Sequence, residues 1–370
     1  MIHETDQSHI VIGAGSAGLA TAASLQAAGL RVVVVEQGSH PGERWRNRPE
    51  SLRLNTARAL SGLPGFPIPR RSGTWPSGVD YAEYLSSYAD RHQIKIRFGH
   101  TVERVDRADP WSVVLTDGTV LSAEAVVVAT GWAARPYLPA WPGGFSGRLL
   151  HAADYRTPEE FAGKHVLVVG SGNSGVETAV ELLGVAAEVR LAVRTPPLII
   201  PSDPVLQYFG ALFGWLSDSV KDKLSLYTHR KYYGDLAEHG LGVPVEGACT
   251  RFNRDRLAPT AERGLAAAVR SGRLKITAAV EGFEGDTVCL ASGDRLRPDV
   301  VIAATGFRPA FADLVGHLGV LDDEGLPPEP GADGLFFVGA PSLRGDLRMH
   351  GHQARRVVRA VRTMKRSSHV

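Results

Sequence analysis

Two glycine-rich loops are the residues best suited to chemistry in this sequence. The first, Gly13-Ala14-Gly15-Ser16-Ala17-Gly18, follows the apolar run Ile10-Val11-Ile12 and precedes helix-forming residues from Leu19 to Ala28. A tight turn between a strand and a helix leaves backbone N–H groups at the helix start with no intrahelical partner, and those groups hold an anionic phosphate. Glycine is needed at Gly13 for the turn, at Gly15 so that backbone can approach a pyrophosphate, and at Gly18 so that helix and strand can pack closely. A second apolar run, Val32 to Val35, ends at Glu36, 23 residues after Gly13. A carboxylate at that distance accepts hydrogen bonds from a ribose hydroxyl. Strand, loop, helix, strand and carboxylate together predict a Rossmann-type dinucleotide site.

The same unit recurs as Val166 to Val169, the loop Gly170-Ser171-Gly172-Asn173-Ser174-Gly175, a helix from Val176 to about Leu183 and a strand from Val189 to Val193. Counting 23 residues from Gly170 reaches Val193, and Arg194 follows it, so a cation stands where the first copy carries its carboxylate. A carboxylate repels a 2′-phosphate and a guanidinium pairs with it, so this copy is expected to prefer NADP over NAD. The alternative is a solvated arginine at a strand end.

These sites must be positioned by two sheets. The segments Val126 to Gly131 (VVVATG) and Val301 to Gly306 (VIAATG) are near duplicates, each an apolar strand ending in Ala-Thr-Gly and followed by an Arg-Pro loop. They read as places where the chain passes between domains. The expected fold class is α/β, with two Rossmann-like, three-layer dinucleotide-binding domains: a first domain of residues 1–134 plus 306–370, into which a second domain of 160–304 is inserted. The segment 196–245 is expected to be a helical insert, with Pro204 to Leu216 a short apolar helix acting as a lid or packing into the core. Gly334 to Gly339 reads as a strand returning to the first domain. From about Gly351 a final helix carries Arg355, Arg356, Arg359, Arg362 and Arg366 on one side, a pattern usual for a solvated face.

Composition narrows the classes. Of 370 residues, 44% are hydrophobic and 22% charged, with 41 Lys plus Arg against 39 Asp plus Glu, which favours neither disorder nor nucleic-acid binding. No apolar stretch of about 18 residues and no leader-like segment is seen, so the expectation is a cytoplasmic protein that does not engage a membrane. The two cysteines, Cys249 and Cys289, are too few and too far apart for a disulfide framework or a CxxC pair. Met349-His350-Gly351-His352 lacks a third ligand, so no metal is expected. Two different dinucleotide sites in one chain imply hydride transfer between cofactors, with FAD in the first site and NADPH in the second.

A family resemblance rests on residues between the two loops. Phe145-Ser146-Gly147-Arg148-Leu149-Leu150-His151-Ala152-Ala153-Asp154-Tyr155 matches the FxGxxxHxxx(Tyr/Phe) signature of flavin-containing monooxygenases, just upstream of the second glycine loop. With Gly42-Glu43-Arg44-Trp45, the two ATG segments and Phe336-Phe337-Val338-Gly339, the chain resembles compact YUCCA-type and bacterial members over nearly its whole length. Baeyer-Villiger monooxygenases share most of the signature but end it in Trp, where this chain has Tyr155. The resemblance implies an oxidoreductase, a flavoprotein monooxygenase using FAD, NADPH and molecular oxygen. In such enzymes a flavin C4a-(hydro)peroxide gives one oxygen atom to a small organic substrate, either a soft nitrogen or sulfur centre or a 2-oxo acid that is decarboxylated. It also implies a homodimer as the family's common assembly.

The resemblance also implies site residues. Asn55, in Ser51-Leu52-Arg53-Leu54-Asn55-Thr56, matches an asparagine placed beside the reactive flavin carbon, and His151 belongs to the signature; these are the two catalytic candidates. The alternatives are a turn-forming asparagine and an ordinary loop histidine. The cofactor-binding candidates are Gly13, Gly15, Ser16, Ala17, Gly18, Glu36, Gln37, Trp45, Val102, Thr130, Gly131 and Gly339 in the first domain. In the second they are Gly170, Gly172, Asn173, Ser174, Gly175 and Arg194. Many two-dinucleotide flavoproteins have aspartate after the glycine of the returning strand, but here Ala340 follows Gly339, with Asp346 as a substitute. Two other outcomes stay open from sequence: a reductase passing electrons to a quinone or redox protein, and oxygenation of a ketone.

Overall fold

The computed structural model describes residues 3–4, 9–343 and 346–367. The side chains of Asp346 and Arg366 lie outside the described residues. By internal contacts the chain divides into two units, Met1–Arg135 with Arg308–Val370 and Pro136–Phe307, so the second interrupts the first in sequence.

The first unit opens with β1 (His9–Ile12), α1 (Ser16–Ala27) and β2 (Val32–Val35). Helix α1 begins three residues earlier than the sequence indicates, because the glycine loop itself supplies its first turn. It is buried on almost every side, which its run of Ala, Gly and Thr permits; Thr21 and Ser24 satisfy their hydroxyls on the Ala17 and Ala20 carbonyls. Helix α2 (Gly78–Arg91) is started by a reciprocal cap between Ser77 and Asp80 and leads to β3 (Ile96–Arg97). An antiparallel meander follows, β4 (Val102–Asp106), β5 (Trp111–Leu115) and β6 (Val120–Ala123), with His3–Glu4 added in parallel beside β6. Strand β7 (Ala125–Val128) then returns to lie parallel to β1.

The second unit contributes β8 (Arg148–His151), β9 (His165–Val169), α3 (Asn173–Leu182) and β10 (Glu188–Ala192). After β11 (Ile199–Ile200) come α4 (Pro204–Leu212), α5 (Asp218–Tyr233) and α6 (Ala248–Asp255), then β12 (Thr260–Ala261), parallel to β11. Helix α7 (Leu265–Arg270) and β13 (Leu274–Thr277) precede an antiparallel ribbon, β14 (Val280–Glu284), β15 (Thr287–Leu290) and β16 (Arg295–Leu296). Strand β17 (Val300–Ala303) closes a five-stranded, all-parallel sheet of order β8-β17-β9-β10-β13. The sequence places the start of this domain near residue 160, but β8 pairs with β17 from Arg148 to His151 and extends the sheet beyond that limit.

The chain then re-enters the first unit through β18 (Gly331–Ala332), β19 (Leu335–Phe337) and α8 (Asp346–Ser367). Strand β19 lies parallel to β7, completing a six-stranded sheet of order β18-β19-β7-β1-β2-β3. Helix α8 begins about five residues before Gly351, where the sequence expects it. Arg355, Arg356, Arg359 and Arg362 are exposed while Ala354, Val357 and Val361 are buried in the core that α1 shares, so the arginine row is a solvated face.

Each unit has three layers, and strand alternation explains why. Val11, Val34, Val127 and Phe336 pack with α1, α2 and α8, whereas Ile10, Val33, Val126 and Leu335 pack against the meander. In the second unit Val166, Val168, Val189 and Ile302 face α3 and α7, and Leu167, Val169 and Val301 face the ribbon. Strands buried on both faces must be apolar throughout, and β2, β7 and β17 are. Of the two roles expected for the apolar run from Pro204, a lid or core packing, the structure excludes the second, since no residue of α4 is buried. The insert is anchored by α5 instead, through buried His229 and Tyr233.

Candidate functional site

The two glycine loops have nearly the same geometry. Gly13 and Gly170 adopt φ of +108° and +111°. A Cβ at Gly13 would lie 2.8 Å from the Ala129 carbonyl oxygen, and one at Gly170 would lie 2.5 Å from that of Ala304. A Cβ at Gly18 would lie 1.9 Å from the Gly13 oxygen, and one at Gly175 would lie 1.8 Å from the Gly170 oxygen. The middle glycines differ: Gly15 and Gly172 face open space, and a Cβ added to either would meet nothing within 4 Å. The space at the first and third glycines is therefore filled by the chain itself, and the middle one leaves a hollow over a helix N-terminus. Ser16, Ala17 and Gly18, and Asn173, Ser174 and Gly175, lie in first helical turns whose N–H groups have no intrahelical acceptor. Both hollows fit a pyrophosphate.

In the first unit Thr130, Gly339 and Glu36 adjoin the loop. Thr130 and Gly131 follow β7 beside Gly13; the Thr130 hydroxyl is buried without a hydrogen-bond partner among the described residues, and Gly131 has φ of +81° with open space around it. Gly339, at φ +92°, follows the end of β19 against Ala17, where an added Cβ would lie 3.3 Å from the Ala17 methyl. Glu36 accepts hydrogen bonds from the Ala14 N–H at 2.6 Å and the Gly38 N–H at 2.8 Å, so its carboxylate is fixed at the mouth of the loop. Gln37 beside it is exposed. Val102 starts β4 two residues after His100, whose N–H bonds the Glu36 carbonyl. Trp45 is half-buried and packs edge-on against Tyr81, 5.0 Å between ring centres, while Gly42 before it donates to the Ala14 carbonyl.

Asn55 is exposed on a bend. That bend is held by backbone hydrogen bonds from Leu54 to Pro76, from Gly78 to Leu52 and from Arg58 to Thr74. His151 lies in the other unit, buried at the end of β8. Its Nδ1 accepts from the Ala153 N–H and its Nε2 donates to the Gly306 carbonyl, each at 3.0 Å, with Phe307 edge-on to the ring. Both nitrogens are thus engaged by backbone in one neutral tautomer. That arrangement holds the Gly306 turn and leaves the ring no nitrogen for proton transfer.

At the second loop, Asn173 uses its carboxamide internally. Its Oδ1 accepts from the Ala261 N–H at 2.8 Å and its Nδ2 donates to the Pro259 carbonyl at 3.3 Å. Thr260 adds a bond to the Ser171 carbonyl. The side chain of Asn173 therefore staples β12 to the loop, and its backbone N–H is what the hollow offers. Ser174 is exposed at the helix start. Glu177, one turn further on, has its carboxyl pushed up to about 7 by burial, with Arg263 at 3.8 Å opposing the shift.

Arg194 borders a cavity of about 650 Å³ that is also lined by Arg190, Thr277, Leu290 and Arg295. Arg190 is paired with Glu188 at 2.6 Å and Arg295 with Glu284. Arg194 makes no ion pair or hydrogen bond among the described residues, and the carboxylate its charge acts on is Asp255, so its guanidinium donors remain available at this cavity. Among the described residues there is no cluster that could hold a metal ion, and no helix long and apolar enough to cross a membrane.

Paired glycine hollows at the carboxyl ends of parallel strands define a class of nucleotide-dependent α/β oxidoreductases, and residues 10–208 match the family described as Pyridine nucleotide-disulphide oxidoreductase. Nearer relatives narrow this. Indole-3-pyruvate monooxygenase YUCCA1 of Oryza sativa subsp. japonica is 34% identical over 347 residues, covering 89% of this chain and 86% of the relative. The probable indole-3-pyruvate monooxygenase YUCCA4 of Arabidopsis thaliana is 32% identical, covering 89% and 84%. The solved flavin-containing monooxygenase from Stenotrophomonas maltophilia superposes with a TM-score of 0.73 at 25% identity, covering 97% of this chain and 99% of that one. The chain belongs to the flavin-containing monooxygenase family, of the YUCCA type, and is an oxidoreductase.

Two features of the site escape a reading of the sequence. The stapling of β12 by Asn173 and Thr260 links residues 86 to 89 positions apart, with no local pattern to announce it. Gln353 stands as a lone amide beside the buried stripe of α8, and that is its only signal in the sequence.

Proposed function

We propose that the first unit holds FAD over Gly15, with Glu36 on the ribose of its adenosine half, and that the second holds NADPH over Gly172, with Arg194 on the 2′-phosphate. The observation that carries this reading is the pair of matched hollows whose second strands end differently, in a fixed carboxylate and in a guanidinium that forms no ion pair among the described residues. Bound FAD supplies the redox chemistry and the activation of molecular oxygen. The first-turn N–H groups of α1 and α3 bind the two pyrophosphates, and the Thr130 hydroxyl gives a further polar contact beside the first. His151 acts as a positioning residue for the Gly306 turn, and Asn55, exposed on its bend, is the amide that orients a reacting group.

The substrate class is a 2-oxo acid carrying an aromatic group, in keeping with the names of the relatives. The balanced reaction is 2-oxo acid plus O2, NADPH and a proton giving the carboxylic acid one carbon shorter, CO2, NADP+ and water. Reduction of a disulfide through cysteines beside the flavin is disfavoured, because the first unit contains no cysteine.

The test is turnover of the purified holoprotein with NADPH and indole-3-pyruvate under 18O2. One labelled oxygen in the arylacetate product, with CO2 and NADP+ in equal amounts, is the expected result; amines and thioethers serve as competing substrates. NADPH oxidation that yields no labelled product and accelerates when a quinone is supplied would replace this reading with that of a reductase.

A further inference from the structure

The end of the returning strand lacks the aspartate that many two-dinucleotide flavoproteins carry, and the structure puts a different device there. Gln353 of α8 reaches back to the residues that follow β19. Its Oε1 accepts from the Gly339 N–H at 2.8 Å and its Nε2 donates to the Ala340 carbonyl at 3.2 Å. One carboxamide thus clamps two consecutive residues, and only one orientation of the amide satisfies both bonds. Gly339 is held at φ +92° and lies against Ala17, in the first turn of α1. The clamp leaves two backbone groups of the pair, the Gly339 carbonyl and the Ala340 N–H, and the Ala340 N–H makes no hydrogen bond among the described residues.

From this geometry we propose that Gln353 is a positioning residue for FAD. By fixing Gly339 and Ala340 it holds the Ala340 N–H as a backbone donor beside the first turn of α1, so the dinucleotide meets a donor wall here instead of a carboxylate. The proposal rests on the placement of FAD in the first unit. It assigns to Gln353 no contact with the cofactor: the side chain acts through the backbone it clamps. Loss of the clamp frees a glycine in a left-handed conformation and with it the direction of the N–H.

The experiment is FAD titration of the deflavinated full-length protein, followed by quenching of flavin fluorescence, for wild type, Gln353→Ala, Gln353→Glu and Gly15→Val. Thermal unfolding of each apo form is measured alongside. Gln353→Glu keeps an acceptor for Gly339 but sets a carboxylate against the Ala340 carbonyl, so it is expected to be the weaker of the two Gln353 variants. Losing two hydrogen bonds that organise the site weakens FAD about tenfold or more in Gln353→Ala at a temperature where every apo form is folded, with the apo melting temperature lowered by roughly 2–8 °C. Unchanged FAD affinity in both Gln353 variants overturns the proposal, as does a large fall in apo stability that accounts for the whole effect. Gly15→Val separates the underlying placement: if it binds FAD as wild type does, FAD is not in the first unit and the proposal falls with that reading. If it abolishes binding while the Gln353 variants do not weaken it, the proposal alone fails.

Discussion

Replacing Arg194 by alanine isolates the feature that distinguishes the two glycine loops. The side chain is exposed and makes no ion pair or hydrogen bond among the described residues, so truncation removes no such contact from the folded chain. Stability is therefore expected to change by less than about 0.5 kcal/mol. A charge-assisted pairing with a phosphate contributes about 1.5–3 kcal/mol, which predicts a loss of roughly 10- to 150-fold in kcat/KM for NADPH. NADH lacks the 2′-phosphate, so its kcat/KM is expected to stay within about twofold, and the preference between the coenzymes collapses by the same factor. Because the site opens to solvent, the wild-type preference itself is expected to shrink in about 0.5 M salt, where the screening length falls to roughly 4 Å. Arg194→Lys keeps the charge without the planar fork and is expected to lie between wild type and alanine. The assay is steady-state NADPH and NADH oxidation at two ionic strengths. A coenzyme preference altered by less than about threefold would refute the reasoning, and would point to Arg190 or Arg295 exchanging its carboxylate partner for the phosphate.

Three other outcomes are expected. Gly18→Ala, whose methyl would lie 1.9 Å from the Gly13 oxygen, is expected to unfold the first unit or lower its melting temperature by more than about 5 °C, whereas Gly15→Ala, with open space, leaves the melting temperature of the apo form within about 2 °C; differential scanning calorimetry separates them. Asn173→Ala frees the β12 segment from the second loop and is expected to raise KM for NADPH roughly tenfold while FAD content, read from the flavin absorbance of the purified protein, is unchanged. The Glu177 carboxyl is raised from 4.5 to about 7 in the folded protein, so the folded state binds the proton more tightly and stability falls as pH rises between those values. Glu177→Gln is expected to flatten that dependence, which amounts to roughly 1–3 kcal/mol, and to be the more stable protein at about pH 8; a wild-type denaturation midpoint that does not move between about pH 5 and pH 8 would contradict it.

The elements are readable where one residue type does one job. Strands buried on both faces have to be Val- and Ile-rich, so β1, β2, β7, β9 and β17 stand out in the sequence as apolar runs. The glycine spacing is readable because three separate steric demands fall on three fixed positions, and the structure gives each demand a distance. What stays hidden is what long-range pairing decides. Nothing near Arg148 signals that β8 joins the second sheet, because its partner β17 is about 150 residues away. The apolar run from Pro204 to Leu216 has the composition of a core helix, yet only its place in the fold determines that α4 lies exposed. Asn173 reads as a cofactor residue from its place in the loop, and the groups that occupy its side chain come from a segment that begins 86 residues later.

On the proposed placement of FAD and NADPH, the two loops direct one local structure to two ligands. The backbone geometry that binds a pyrophosphate is the same in both, with φ at the first glycine differing by a few degrees and the same two contacts closing the first and third positions. Specificity therefore has to come from outside the loop, at the end of the following strand. At that place Glu36 is immobilised by two backbone N–H groups, which keeps its oxygens fixed as acceptors and its charge in position to exclude a phosphate. Arg194 forms no ion pair among the described residues, while the neighbouring Arg190 and Arg295 are neutralised by carboxylates. Arg194 is thus the cavity arginine without an ion pair, with Asp255 as the carboxylate its charge acts on, and on the proposed placement it is the cation that meets the 2′-phosphate. Exchanging the two strand-end residues is therefore not symmetric. Glu36→Arg is expected to lose more than coenzyme selectivity, since it also removes the acceptors of the Ala14 and Gly38 N–H groups, whereas Arg194→Glu loses selectivity alone.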